Sequence, residues 1–254
     1  MLLETLGGSM RNSNTPGMNR EATRASAADA GHAGGALLVA VLGSLLPLAG
    51  CGNPPGSDAA HKINGSVHVE AGKALGTAET VNGAIDVDAN ATITKATTVN
   101  GSIHIGAHAT ATTVKTVNGS ITIDDGAKVA GMVETVNGAL TLHNGAEVAG
   151  ALRNVSGRIE LDGAHVVGGI RTAAGDISVL GASRVEGGIV VEKAGNGLIR
   201  IGNEAPRIVI GPGATVQGEL RFGREVRLYV SDKATVGAVS GATPVSFAGD
   251  SPPG

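Results

Sequence analysis

Apolar residues recur at every sixth position from Ile63 onward: Ile63, Val69, Leu75, Val81, Val87, Ile93, Val99, Ile105, Ala111, Val117, Ile123 and Val129. No polar residue interrupts this series, although only 42% of the chain is apolar. Neither an amphipathic helix nor a hairpin sheet keeps that period over such a distance. The six-residue module sits inside a longer beat, because Thr-Val-Asn-Gly returns at Thr80, Thr98, Thr116 and Thr135, at intervals of 18, 18 and 19 residues. Three six-residue faces per circuit predict an all-β fold. It is a single-stranded parallel β-helix, a triangular solenoid of about 18 residues per rung whose identical residues stack in columns.

The rungs can be written out as INGSVHVE (63–70), VNGAIDVD (81–88), VNGSIHIG (99–106), VNGSITID (117–124), VNGALTLH (136–143) and VSGRIELD (155–162), with AAGDISVL (173–180) keeping the outline. Strand alternation turns the fifth and seventh positions inward and the sixth to water. Asn-Gly tolerates positive φ, so it is expected at a corner between faces. The single 19-residue interval predicts one additional residue near a turn. A second unit, GA-x-V-x-G-x-apolar, begins at Gly126, Gly145, Gly163 and Gly213, and its copy at Gly181 carries one additional residue. These readings place the solenoid over 63–240.

Composition narrows the picture further. Aromatics make up 1% of the 254 residues and Trp is absent, while Gly supplies 41. A core without large rings must be narrow and filled by β-branched side chains and alanine. The formal charge is −3, from 19 basic and 22 acidic residues. With no basic cluster and no aromatic platform, nucleic-acid binding is not expected. One cysteine excludes an intrachain disulfide framework.

That cysteine closes a distinct leader. Residues 36–50, ALLVAVLGSLLPLAG, form an apolar run of signal-peptide length with Arg20 and Arg24 upstream, too short and too interrupted for a good membrane span. The run ends in Leu48-Ala49-Gly50-Cys51. This tetrapeptide resembles the bacterial lipobox, which implies that Cys51 is acylated on its thiol and becomes the new N-terminus after cleavage. Residues 1–50 are therefore expected to be a lipoprotein signal peptide, with Met18, or else Met10, as the true start. Residues 51–62, opening Cys51-Gly-Asn-Pro-Pro-Gly-Ser, are expected to be a flexible tether. The covalent lipid on Cys51 is the only non-protein group expected, and no other cofactor is. Gly52 is not the aspartate of an inner-membrane retention signal, which favours the outer membrane if the cell is Gram-negative.

The GA-x-V-x-G-x-apolar unit following an I-x-I strand resembles the bactofilins, polymer-forming bacterial cytoskeletal proteins. The Thr-Val-Asn-Gly rungs are equally similar to surface β-solenoids of the adhesin type. The bactofilin resemblance implies a right-handed β-helix and self-association. Bactofilins are cytoplasmic, whereas this chain carries an envelope leader. All three aromatics, Phe222, Tyr229 and Phe247, lie near the C-terminus. Phe222 and Tyr229 are read as terminal core or cap residues, with a self-association contact as the sharper alternative. Residues 241–254 are expected to be a disordered tail.

Chemistry along the rod is sparse. The sixth positions give His68, Asp86, His104, Thr122, Thr141, Glu160 and Ser178, a mixed solvated face with the two histidines two rungs apart. The eighth positions give Glu70, Asp88, Gly106, Asp124, His143 and Asp162, a broken acidic column. Neither supplies the converging ligand set that zinc or calcium needs. Thr92/Thr94 and Thr110/Thr112 make a threonine pattern only two rungs long. His104, His108, His143 and His165 have no partner motif for catalysis. The sequence therefore points to a non-enzymatic, lipid-anchored envelope scaffold with an envelope protein or polysaccharide as partner. Self-assembly through the solenoid ends and an adhesin-like role are the alternatives.

Overall fold

The structure, a computed structural model, describes residues 58–193 and 204–253. Their 26 strands pair only in parallel, and no helix occurs among the described residues. One ladder has ten strands, from Val67–Val69 through Ile85–Val87 and Ile103–Ile105 to Val245–Phe247. A second ladder of sixteen strands covers the other two faces. In its early turns one nine-residue strand serves both faces, as in Ala74–Asn82, Thr92–Asn100 and Thr110–Asn118. From Lys128–Val129 and Val133–Asn137 onward that strand is split in two. The chain is the expected β-solenoid of about ten turns.

The split locates the additional residue. Ala111 pairs with Val129, 18 positions on, while Val114 pairs with Val133, 19 positions on. The extra residue thus lies within Ala130-Gly131-Met132. A larger departure follows later, since Ile177 stacks on Ile208 and Ile189 on Leu220, each 31 positions apart. The ladder also outruns the expected boundaries at both ends. Ala59–Asn64 pairs with Ala74–Asn82, inside the segment read as tether. Val245–Phe247 pairs with Arg227–Ser231, inside the segment read as tail. Backbone pairing with the adjacent turn orders both segments without needing an apolar pattern of their own.

The core is a set of single-file columns. Ile85, Ile103 and Ile121 stack on one another, as do Val87, Ile105 and Ile123, all 0–1% exposed. Ile93, Ala111 and Val129 line the second face and Ala78, Ala96 and Val114 the third. Two of the three columns in the six-residue series are therefore core. The third, Ile63, Val81, Val99 and Val117, is not. The inward residue is the preceding threonine, and Thr80, Thr98, Thr116 and Thr135 are each at most 1% exposed.

Hydrogen bonding explains this exchange. Each threonine Oγ1 donates to the glycine carbonyl at the preceding turn's corner: Thr80 to Gly65, Thr98 to Gly83, Thr116 to Gly101 and Thr135 to Gly119, at 2.9–3.1 Å. Asn154 does the same to Gly138 through Nδ2 at 2.9 Å. The backbone ladder leaves these carbonyls over, and a buried acceptor without a donor costs about 1–3 kcal/mol. A valine facing inward could not fill that need.

The rest of the tetrapeptide stacks as well. The Asn82 amide donates to Asn64, Asn100 to Asn82, Asn118 to Asn100 and Asn137 to Asn118, every bond 3.0 Å long. The glycines pack still closer. A Cβ on Gly101 would stand 1.9 Å from the Gly83 carbonyl oxygen, and one on Gly119 would stand 2.0 Å from that of Gly101. Neither Gly101 nor Gly119 has positive φ, whereas Gly65, Gly138 and Gly157 at the same corner do, so the expectation of positive φ here holds at some turns only, and at Gly101 and Gly119 close stacking alone excludes side chains.

A more regular left-handed corner lies at Gly72, Asn90, His108, Gly126, Gly145, Gly163, Gly181 and Gly213, with φ between 57° and 77°. From Asn90 onward, apart from Gly181, each precedes a small buried residue such as Ala91, Ala109 or Ala127, all 0% exposed. At the Gly181 copy the additional residue puts Ser183 in that buried place, where its Oγ accepts the Ala164 N–H at 3.1 Å.

Two predictions follow from the corners. Gly101→Ala, forced against backbone, is expected to lower unfolding free energy by on the order of 3 kcal/mol, whereas Thr98→Val loses about 1–2 kcal/mol through the orphaned carbonyl; denaturant melts that rank them in reverse overturn the stacking account. His108→Gly relieves left-handed strain of about 1–2 kcal/mol against an entropic loss of about 0.5–1 kcal/mol, so its melting temperature should rise.

Candidate functional site

Because every turn repeats, the outward side chains form long columns rather than a concave centre. On the ten-stranded face the sixth-position column runs His68, Asp86, His104, Thr122, Thr141, Glu160 and Ser178, in register as the sequence indicates. The structure adds a diagonal the sequence did not suggest. His68 Nε2 meets Asp88 at 3.2 Å and His104 Nε2 meets Asp124 at 2.7 Å, so a sixth position pairs with the eighth position one turn on. The histidines are tied to separate carboxylates. Among the described residues no group of three or more His, Cys, Asp or Glu side chains could hold a metal ion.

The other faces carry similar ladders. His61 and Lys95 both reach Glu79, at 3.1 and 2.6 Å. Lys115 meets Glu134 at 3.2 Å, and the glutamate is only 3% exposed. Lys128 pairs with Glu147 at 3.2 Å. Glu186 receives both His165 at 3.1 Å and Arg184 at 3.2 Å. The Arg184 hydrogen bond, then that of His165, hold the half-buried Glu186 carboxyl below the ordinary carboxylate range. The exposed pairs among these, such as Lys128–Glu147, contribute little stability each. Their effect is to separate like charges along a column that would otherwise repel. Thr92, Thr94, Thr110 and Thr112 are all exposed, a two-turn threonine patch as the sequence indicates, and Thr110 Oγ1 donates to Thr92 Oγ1 at 3.0 Å. Of the remaining histidines, His108 and His143 are exposed.

The two C-terminal aromatics separate. Phe222 is 6% exposed and continues the inward threonine column, above Thr172 and Val191. It is a core residue, and the sharper reading of it as a self-association contact is corrected: its ring replaces the threonine–carbonyl bond of earlier turns with apolar volume. Tyr229 points outward and half-exposed from the ten-stranded face, between Val209 and Val245, with the Arg207 guanidinium 5.2 Å from its ring centre. Beyond Ser178 the outward column of this face turns from polar to apolar. The sequence held the signal in Val209, Tyr229 and Val245, but the 31-residue turn hid their register. Cys51 and the 1–50 leader lie outside the described residues.

In comparison with known proteins, no family description matches the chain, and neither a curated protein nor a solved structure matches it.

Proposed function

We propose that the protein is a non-enzymatic, membrane-anchored lipoprotein of the cell envelope, held by lipid on Cys51 and displaying a rigid β-solenoid as a scaffold or interaction surface. One observation carries the reading: the lipobox-like Leu48-Ala49-Gly50-Cys51 stands only eight positions before the first strand at Ala59. A fully extended chain spans about 3.3–3.6 Å per residue, so the tether is at most roughly 28 Å long and keeps the first turn close to the lipid surface. Two or more acyl chains give stable attachment, each buried methylene contributing about 0.8 kcal/mol. The solenoid itself, at about 4.8 Å per turn, extends roughly 45 Å. The histidines among the described residues, tied to carboxylates or exposed on the surface, support display rather than catalysis. The outer membrane is the favoured location in a Gram-negative cell.

A second reading, self-assembly through the solenoid ends, draws support from the two exposed large aliphatic residues among the described residues. Ile63, 57% exposed, lies in the first turn and Val245, 49% exposed, in the last strand. Open ends of parallel ladders offer unpaired backbone groups to another chain.

Replacing Cys51 with Ser is expected to move the protein from the membrane fraction to the soluble fraction, or to leave the leader uncleaved. Mature protein with serine at 51 that still sediments with membranes overturns the anchored reading. Light scattering of the same soluble variant decides self-assembly, since filaments weakened by Val245→Lys favour it and a monomer at every concentration removes it.

A further inference from the structure

Two arginine Nε atoms are buried without a hydrogen-bond partner, on Arg153 and Arg207. Each belongs to an arginine standing in register beside another, Arg153 beside Arg171 and Arg207 beside Arg227. Like charges directly opposite on neighbouring strands are unfavourable, and a desolvated donor without an acceptor adds to that cost. The first pair has carboxylates at hand, since Glu134 precedes Arg153 in the column and Arg171 approaches Glu192 at 3.8 Å. The second pair has none in an ion pair among the described residues. Asp176, the nearest acid in the column, uses its Oδ1 to accept the Arg207 backbone N–H at 2.7 Å. Arg207 Nη2 reaches only the Pro253 carbonyl, at 3.4 Å.

The surroundings of the second pair define a ligand chemistry. Arg207, Val209 and, one turn on, Arg227 and Tyr229 share the outward side of the ten-stranded face, and Val245 follows Tyr229. Two arginines therefore border a strip made of the half-exposed Tyr229 ring and the exposed Val245, with the Arg207 guanidinium lying over the tyrosine ring and Val209 only 8% exposed beside it. A guanidinium binds carboxylate or sulfate through paired N–H donors, while an aromatic and aliphatic strip takes the C–H face of a sugar ring. A sugar residue is about as long as the strand spacing of ~4.8 Å, so successive sugars of one chain can follow successive turns. A second copy of the protein fits less well. A face three residues wide and about 45 Å long offers on the order of 450 Å² per partner, against about 800 Å² for a stable interface.

We infer that Arg207, Arg227 and Tyr229 form a binding site for an acidic polysaccharide, one bearing carboxylates on its sugar rings. The site deepens the interaction-surface reading and is independent of the lipid anchor, so it is tested on full-length Cys51→Ser protein in solution. Polygalacturonate is the probe, titrated calorimetrically at low salt beside neutral dextran and inorganic sulfate. Binding of polygalacturonate, no binding of dextran and an affinity loss of at least tenfold in both Arg227→Ala and Tyr229→Ala is the expected result. Arg158→Ala, on the same face but paired with Glu160, should bind as the parent does. Unchanged melting temperature certifies the fold of each variant, and Arg227→Gln serves if Arg227→Ala melts early. The proposal is overturned if polygalacturonate does not bind, or if Arg227→Ala binds normally. It is equally overturned if Tyr229→Ala binds normally or sulfate competes at equal charge concentration, because the patch is then a plain anion exchanger. Calorimetric heats traced to protein self-association in the absence of polymer assign the patch to a second copy instead.

Discussion

Everything in this solenoid depends on how closely one turn can approach the next at the Thr-Val-Asn-Gly corner. The glycine Cα of each turn rests against the glycine carbonyl of the turn before, leaving no room for a Cβ at Gly83, Gly101, Gly119 or Gly138. That approach brings the asparagine amides into a ladder and puts each threonine hydroxyl within reach of the carbonyl below. Three residues of four are thus specified by one contact. The valine is the residue left outside.

The same contact accounts for the core's unusual chemistry. A column of threonines at 0–1% exposure is tolerable because each hydroxyl has an acceptor supplied by the corner. Where the corner glycine pattern fades, the column changes as well, to Thr172, whose Oγ1 accepts the Gly175 N–H, and then to Val191 and Phe222. The early turns satisfy their corners with hydrogen bonds and the late turns fill theirs with apolar volume. This shift coincides with the 31-residue turn, after which the outward column of the ten-stranded face also becomes apolar.

A fold built from stacked identical positions distributes its surface chemistry along lines. Charges are neutralised pairwise along those lines, as with Lys115 and Glu134 or His104 and Asp124. A departure from the repeat is therefore where distinct surface chemistry can collect. Arg207 and Arg227, in register with each other and in no ion pair among the described residues, sit with Tyr229 just past such a departure.

The sequence by itself determined the solenoid, its 18-residue circuit, the inward I-x-I columns and the presence of one additional residue near a turn, because parallel stacking copies a one-dimensional period directly into space; its place beside Gly131 came from the strand register. The diagonal His–Asp pairs, the inward threonines and the outward placement of Tyr229, read from the sequence as core or cap like Phe222, needed the tertiary structure. A period of six says which residues stack but not which way a residue at a corner points, and that choice is made by carbonyls of the neighbouring turn. The positive-φ corner illustrates the same limit. Asn-Gly and Gly-Ala are both plausible turn pairs in sequence, and only the Gly83–Gly101 approach distance separates a glycine kept for space from one, such as Gly126, kept for its backbone angle.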